Sequence, residues 1–208
     1  MIQSSPYFNI VTPTSIKQIF KFEKRKFSQR LTELLETNKV SSVRIKQLDL
    51  TPDELNEITD HIKKLNNNRV PILLEDNIEL VLQYKLDGVH LTNGQKQVKS
   101  AKLVLSKDQV IGCFCGLSKH SGLVAAEQGA NYIAFSADYN LVQNSSEAVE
   151  LYRWWSEFIE IPLMGECSEN GLIPFSIWNY SDFFSLRDSV WQIENSLERL
   201  FRPSEPKS

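Results

Sequence analysis

Along this chain the hydrophobic pattern switches period again and again. Short apolar runs of strand type alternate with segments whose apolar residues recur at helical spacing. Strand-type runs occur at 7–11, 42–46, 70–74, 88–91, 110–113, 132–135, 161–164 and 182–186. Helical spacing follows at 27–37, after Thr51, and at 77–84, 95–105, 118–128, 146–159 and 188–201, with 140–145 read as a loop. The seventh crossover has the weakest pattern. Thr51-Pro52-Asp53-Glu54 predicts a capped helix start, with Thr51 as N-cap, Pro52 in the first turn and Glu54 closing a capping box. Ser146 is read as the cap of the long helix that follows it.

The runs Val70-Pro71-Ile72-Leu73-Leu74 and Tyr132-Ile133-Ala134-Phe135 are continuously apolar, as strands buried on both faces must be. Strand then helix about eight times predicts a closed parallel (β/α)8 TIM barrel, and 208 residues lie at the lower end of the size range for it. An open doubly wound sheet is the competing architecture, but no Gly-x-Gly-x-x-Gly follows the first strand. The chain therefore reads as one domain over 1–208, with about 203–208 as a flexible tail.

A formal charge of −3 and a pI near 5.7 give no electrostatic reason to expect nucleic acid or an anionic membrane as partner. The basic segment from Lys17 to Lys26 reads as a solvated helix face. No apolar run approaches the ~18 residues that span a bilayer, and no secretory pattern opens the chain, so a cytoplasmic location is expected. Three cysteines, Cys113, Cys115 and Cys167, suit reduced buried thiols. The C-x-C pair is expected to point to opposite faces of its strand and not to share a metal.

In a parallel barrel, reactive groups sit where strands end. That rule selects Lys46, Glu75 with Asp76, His90 with Thr92 and Asn93, Cys115, Ser136 with Asp138, Gly165 with Glu166 and Cys167, and Arg187. Glu75-Asp76 is the sharpest local signal, since Mg²⁺ takes one or two carboxylates plus substrate phosphates and water. The competing reading has Asp76 capping the next helix and Glu75 solvated. His90, between Val89 and Leu91, reads more readily as a hydrogen-bonded core histidine than as a catalyst. Lys46 is a candidate phosphate contact.

Several of these residues carry a resemblance. The segments Pro71 to Asp76 (PILLED), Asp87-Gly88-Val89-His90-Leu91, Ile111-Gly112 and Ala125 to Phe135 (AAEQGANYIAF) together resemble thiamine phosphate synthase, well over about residues 40–140 and weakly to about 200. The resemblance implies a (β/α)8 barrel that joins a pyrimidine methyl pyrophosphate to a thiazole phosphate, with Mg²⁺ and release of pyrophosphate. It also implies substrate contacts at Arg44, Lys46, Glu75, His90, Gly165 and Arg187, and a metal carboxylate at Asp76.

Matched position by position, the chain departs from the pattern. Arg44-Ile45-Lys46-Gln47-Leu48 lacks the family's final lysine, and Glu75 stands where the family has asparagine. Gln95 replaces the second metal aspartate, Phe114 a serine that meets the pyrimidine, and Arg187 a phosphate-binding serine. The threonine-lysine loop after the sixth strand has no counterpart among residues 137–143, and Glu166 follows Gly165 where a small neutral residue is usual. Phe114 is expected to plug the mouth in part, and Arg187 to pair with Asp188 or a neighbouring helix. The related thiazole tautomerases place a histidine where this chain has Ser136-Ala137-Asp138. Two readings follow: a thiamine phosphate synthase-type transferase with an altered site, or a non-catalytic barrel binding a phosphorylated metabolite or a protein partner.

Overall fold

In the computed structural model, which describes residues 5–192 and 196–204, eight strands close into a barrel in the order of the chain. They are β1 (Tyr7–Val11), β2 (Val40–Ile45), β3 (Ile72–Glu75), β4 (Gly88–Leu91), β5 (Val110–Phe114), β6 (Tyr132–Ser136), β7 (Leu163–Glu166) and β8 (Phe183–Leu186). Every neighbouring pair is parallel, and β8 returns to β1 through Tyr7↔Phe183 and Ile10↔Leu186. The helices are α1 (Ile16–Phe22), α2 (Lys24–Glu36), α3 (Pro52–Asn66), α4 (Ile78–Gln83), α5 (Val98–Val104), α6 (Lys119–Glu127), α7 (Tyr139–Gln143), α8 (Ser146–Phe158) and α9 (Leu197–Leu200).

The main core lies between strands and helices. Ile10, Val43, Leu74, Val89, Ile133 and Phe184 point outward from the sheet against Leu31, Leu34, Ile58, Val81, Val98 and Trp155. The opposite parity points inward, where Leu73, Tyr132, Ala134 and Met164 pack with Val110, Phe114 and Phe183. Because strand side chains alternate, an outward apolar residue guarantees an inward neighbour at the next position. That is how Arg44, Glu75, His90 and Glu166 come to face the barrel axis.

Thr51 caps α3 with a complete capping box: Glu54 N donates to Thr51 Oγ1 and Thr51 N to the Glu54 carboxylate. Several boundaries differ from the sequence reading. The cap of α8 is Ser145, whose hydroxyl accepts from Ala148 N at 3.2 Å, one residue before the expected Ser146. The supposed loop 140–145 begins with helix α7, because the Asp138 carboxylate accepts from Asn140 N and Leu141 N and nucleates a turn. The seventh crossover is a 3₁₀ turn at Phe175–Tyr180.

The final helix expected over 188–201 is broken. A 3₁₀ turn at Asp188–Trp191 is held by Asp188 on Thr14 N and by Trp191 Nε1 on Val11 O at 2.7 Å, and α9 starts anew from its own Ser196 cap. Residues 193–195 lie outside the described residues. The chain stays attached beyond the expected start of the tail, since Ser204 N donates to Ile173 O at 2.8 Å; residues 205–208 lie outside the described residues. The C-x-C pair is also corrected. Residues two apart on a strand share a face, and Cys113 and Cys115 lie with their sulfurs 3.6 Å apart in the outer core.

Candidate active site at the barrel mouth

The inward-facing polar residues form one connected cluster at the C-terminal ends of the strands. Arg44 of β2 is fully buried, and its two terminal nitrogens grip the Glu166 carboxylate of β7, one bond measuring 3.0 Å. Its Nε lies 3.2 Å from Glu75 Oε1 but is not aligned as a hydrogen bond. Arg187, just past β8, places Nη1 3.5 Å from Glu166 and Nε 3.0 Å from Glu169. Lys46 closes the ring, 3.6 Å from Glu169 and 3.3 Å from the Thr14 hydroxyl. Asp188 accepts from Thr14 N at 2.6 Å. The three cations Arg44, Lys46 and Arg187 thus face the three carboxylates of Glu75, Glu166 and Glu169.

Burial and charge act against each other here. For Glu166, burial raises the pKa, but Arg44 outweighs it and holds the group down to about 2. Burial works against the charge on Arg44 too, yet Glu166 and Glu75 keep it above its ordinary value. Glu75 is pushed up by burial, opposed by Arg44. Removing one partner from a buried pair of this kind costs about 3–5 kcal/mol, because the other charge is left uncompensated. The Glu169 contacts lie at the surface, in the class of ion pairs worth about 0–1 kcal/mol. The network therefore has a rigid buried half and a loosely held outer half.

His90 is buried and neutral: burial and then Arg44 lower its pKa to about 3. Its Nδ1 is 2.7 Å from the Tyr132 hydroxyl. The other ring nitrogen, Nε2, lies 4.0 Å from Glu166. Burial pushes the Tyr132 hydroxyl above its ordinary pKa, with Arg44 acting the other way. Gly112 makes the bridge from His90 to Tyr132 possible. It stands between the two in register, His90↔Gly112↔Tyr132, and a Cβ there would lie 2.0 Å from the Tyr132 ring.

The expected residues fall into two groups. Arg44, Lys46, Glu75, His90 and Arg187 come together in this cluster. Arg187 pairs with Glu166 and Glu169, whereas Asp188 or a neighbouring helix was expected. Asp76 stands apart: its carboxylate accepts from both Thr92 N and the Thr92 hydroxyl, tying the β3 end to the β4 end. Neither half of its bland reading holds. Asn77 caps α4, and Glu75 faces Arg44 and not bulk water. Gly165 points its α-hydrogen to the outer layer, where a Cβ would meet the Phe184 ring at 2.5 Å. Phe114 faces the barrel interior with Leu73 and Met164. Asp138 is spent on the start of α7, and Cys115 is in the outer core.

The strand-end rule named Glu166 without giving it a role, and sequence reasoning missed Glu169 and Tyr132 as members of the site. The inward parity of Glu166 follows from the apolar Leu163 and the register of β7; Tyr132 was signalled only by the glycine opposite it. Glu169 carried no local signal.

With this geometry in place, comparison with known proteins settles the lineage. The thiamine monophosphate synthase family matches residues 9–165. The chain belongs to that family. It is 25% identical over 177 residues to the thiamine-phosphate synthase of Rhodospirillum centenum, covering 82% of this chain and 84% of that protein. It is 29% identical over 175 residues to the one from Erythrobacter litoralis, covering 79% and 82%. Among solved structures, thiamine phosphate pyrophosphorylase from Pyrococcus furiosus superposes with a TM-score of 0.69 at 17% identity, over 97% of this chain and 95% of that one. That likeness speaks to the barrel itself. Among the described residues no helix is long and apolar enough to cross a membrane.

Proposed function

We propose that this member of the family serves thiamine biosynthesis as a binding barrel for a phosphorylated precursor or product, and does not itself join pyrimidine to thiazole. The observation that carries this reading is the Glu166 carboxylate seated in the fork of Arg44. A departing pyrophosphate needs cations free to take up its developing charge. Here the innermost cation is already neutralised by a buried carboxylate of the same chain.

The donor set around Asp76 does not fit the Mg²⁺ that the family resemblance implies. Both of its oxygens hold Thr92, Gln95 offers a neutral amide where a second carboxylate is wanted, and Glu75 is turned to Arg44. Phe114 adds a steric argument, because it fills interior volume where the family pattern has a small hydroxyl.

The test is incubation of purified, folded protein with the pyrimidine pyrophosphate, the thiazole phosphate and Mg²⁺. We expect no pyrophosphate above a control without protein, while calorimetry with thiamine phosphate or the thiazole phosphate gives a saturable heat. Pyrophosphate release that rises with protein concentration overturns the reading and makes the chain a synthase.

A further inference from the structure

We propose that Lys46 and Arg187 form a phosphomonoester subsite which Glu169 occupies from within and yields to an incoming phosphate. The inference deepens the binding role proposed above and rests on it. Glu169 Oε1 lies 3.0 Å from Arg187 Nε and 3.6 Å from Lys46 Nζ, so one carboxylate oxygen bridges two cations, as an oxygen of a bound phosphate would. The fit is incomplete. Arg187 Nε is buried but has no aligned hydrogen-bond acceptor, despite the carboxylate within reach. A buried N–H left in this way is a standing demand for a better-placed acceptor.

Glu169 can leave without disturbing the fold. Its side chain is 52% exposed, and it rides on the tip of a turn that is anchored independently. Gly171 N donates to Ser168 O at 3.0 Å, and Gly171 takes the left-handed φ of +67° that the turn requires. Before the turn, Cys167 N is held by the Ser185 hydroxyl; after it, Ile173 is paired with Ser204. A side-chain rotation into solvent is therefore enough. Glu166 offers no such exit, being nearly buried and held by two nitrogens of Arg44. Once Glu169 has turned away, Lys46 and Arg187 face a tetrahedral dianion with Thr14 as a neighbouring hydroxyl.

A site filled by its own side chain binds a ligand more weakly by the fraction of molecules in which it is free. The experiment is calorimetric titration of inorganic phosphate, with acetate as a second arm, into the full chain and its Glu169→Ala variant. We expect Glu169→Ala to bind phosphate about tenfold more tightly than the wild type, a difference of about 1.4 kcal/mol, with little gain for acetate. Adding Arg187→Met to Glu169→Ala should remove the gain. Equal phosphate affinity in wild type and Glu169→Ala overturns the competition while leaving the binding role intact. Equal gains for phosphate and acetate overturn the phosphomonoester assignment. If neither protein binds phosphate in the millimolar range, the subsite and the phosphate-binding role fall together. Unchanged circular dichroism and melting temperature, expected for an exposed residue, establish that the variant is folded.

Discussion

Arg44 and Glu166, 122 positions apart in the chain, meet inside the barrel as a two-pronged ion pair. The pair couples β2 to β7 across the axis, a connection that no backbone hydrogen bond of the sheet provides. Glu166→Gln should lower unfolding free energy by about 3–5 kcal/mol, because it strands a buried guanidinium. Arg44→Met combined with Glu166→Met should recover most of that loss, since an apolar pair of similar volume needs no counter-charge. Urea unfolding of the two variants measures both. A loss below about 1 kcal/mol in the single variant would place the pair in the weak class of surface bridges.

Stability should rise with pH on the acid side. Glu166 is held at about 2 against an ordinary 4.5, so its contribution is complete above 4.5 and is lost as pH falls towards 2. His90 stays neutral in the fold down to about 3, whereas in the unfolded chain it takes a proton below 6.5; its contribution is complete above 6.5 and declines from there down to 3. Glu75, whose pKa is raised by burial, acts in the opposite direction and loses its share as pH rises above 4.5. Urea midpoints from pH 3 to 8 should therefore climb, and His90→Asn should flatten the stretch below 6.5. An unchanged slope in that variant would mean His90 titrates normally.

Gly112→Ala should cost about 1–3 kcal/mol through overpacking, since its methyl would lie 2.0 Å from the Tyr132 ring. Shrinking Tyr132 to leucine in the same chain should make the alanine tolerable. Strong coupling in the double-mutant cycle is the result to look for. Additive losses would show that the glycine does not answer to the tyrosine.

Thr92→Val and Asp76→Asn act on the same contact. Removing the hydroxyl should cost about 0.5–1.5 kcal/mol, rising to about 1.5–3 kcal/mol where the partner is charged. The second substitution should add less than it costs alone, because Thr92 donates to Asp76 through both its backbone N–H and its hydroxyl. Chemical denaturation of the cycle decides this.

The three cysteines should resist a thiol reagent in the native protein and all react in urea. Cys113, Cys115 and Cys167 are buried, and hydrogen bonding to Cys115 followed by burial pushes the Cys113 thiol up, as burial does for Cys167. Rapid labelling of one native thiol would mean that the outer core around β5 or β7 opens readily.

Much of the architecture was legible in the chain. Alternation of period located all eight strands, and the capping box at Thr51 marked the start of α3 to the residue. The failures cluster where tertiary contacts override local pattern. The segment 188–201 has helical spacing, yet Asp188 is drawn to Thr14 and Trp191 to Val11, so the helix cannot run through. The site was half legible. Strand-end placement gathered Lys46, Glu75, His90 and Arg187, and the family resemblance added Arg44, but placement says only that residues share an end of the barrel.

Periodicity and buried apolar runs are local properties that survive substitution at the mouth, and they carry the closed eight-stranded barrel and the family it belongs to. Tertiary structure alone decided which charges are spent on each other. Whether Arg44 is free for a ligand or taken by Glu166 depends on the register of β2 and β7 across the barrel, which leaves no trace within either strand. The same holds for Asp76, whose carboxylate reads as a metal ligand in sequence and is engaged by Thr92 in space. Coulomb attraction falls off with distance in space, and only the folded chain sets those distances.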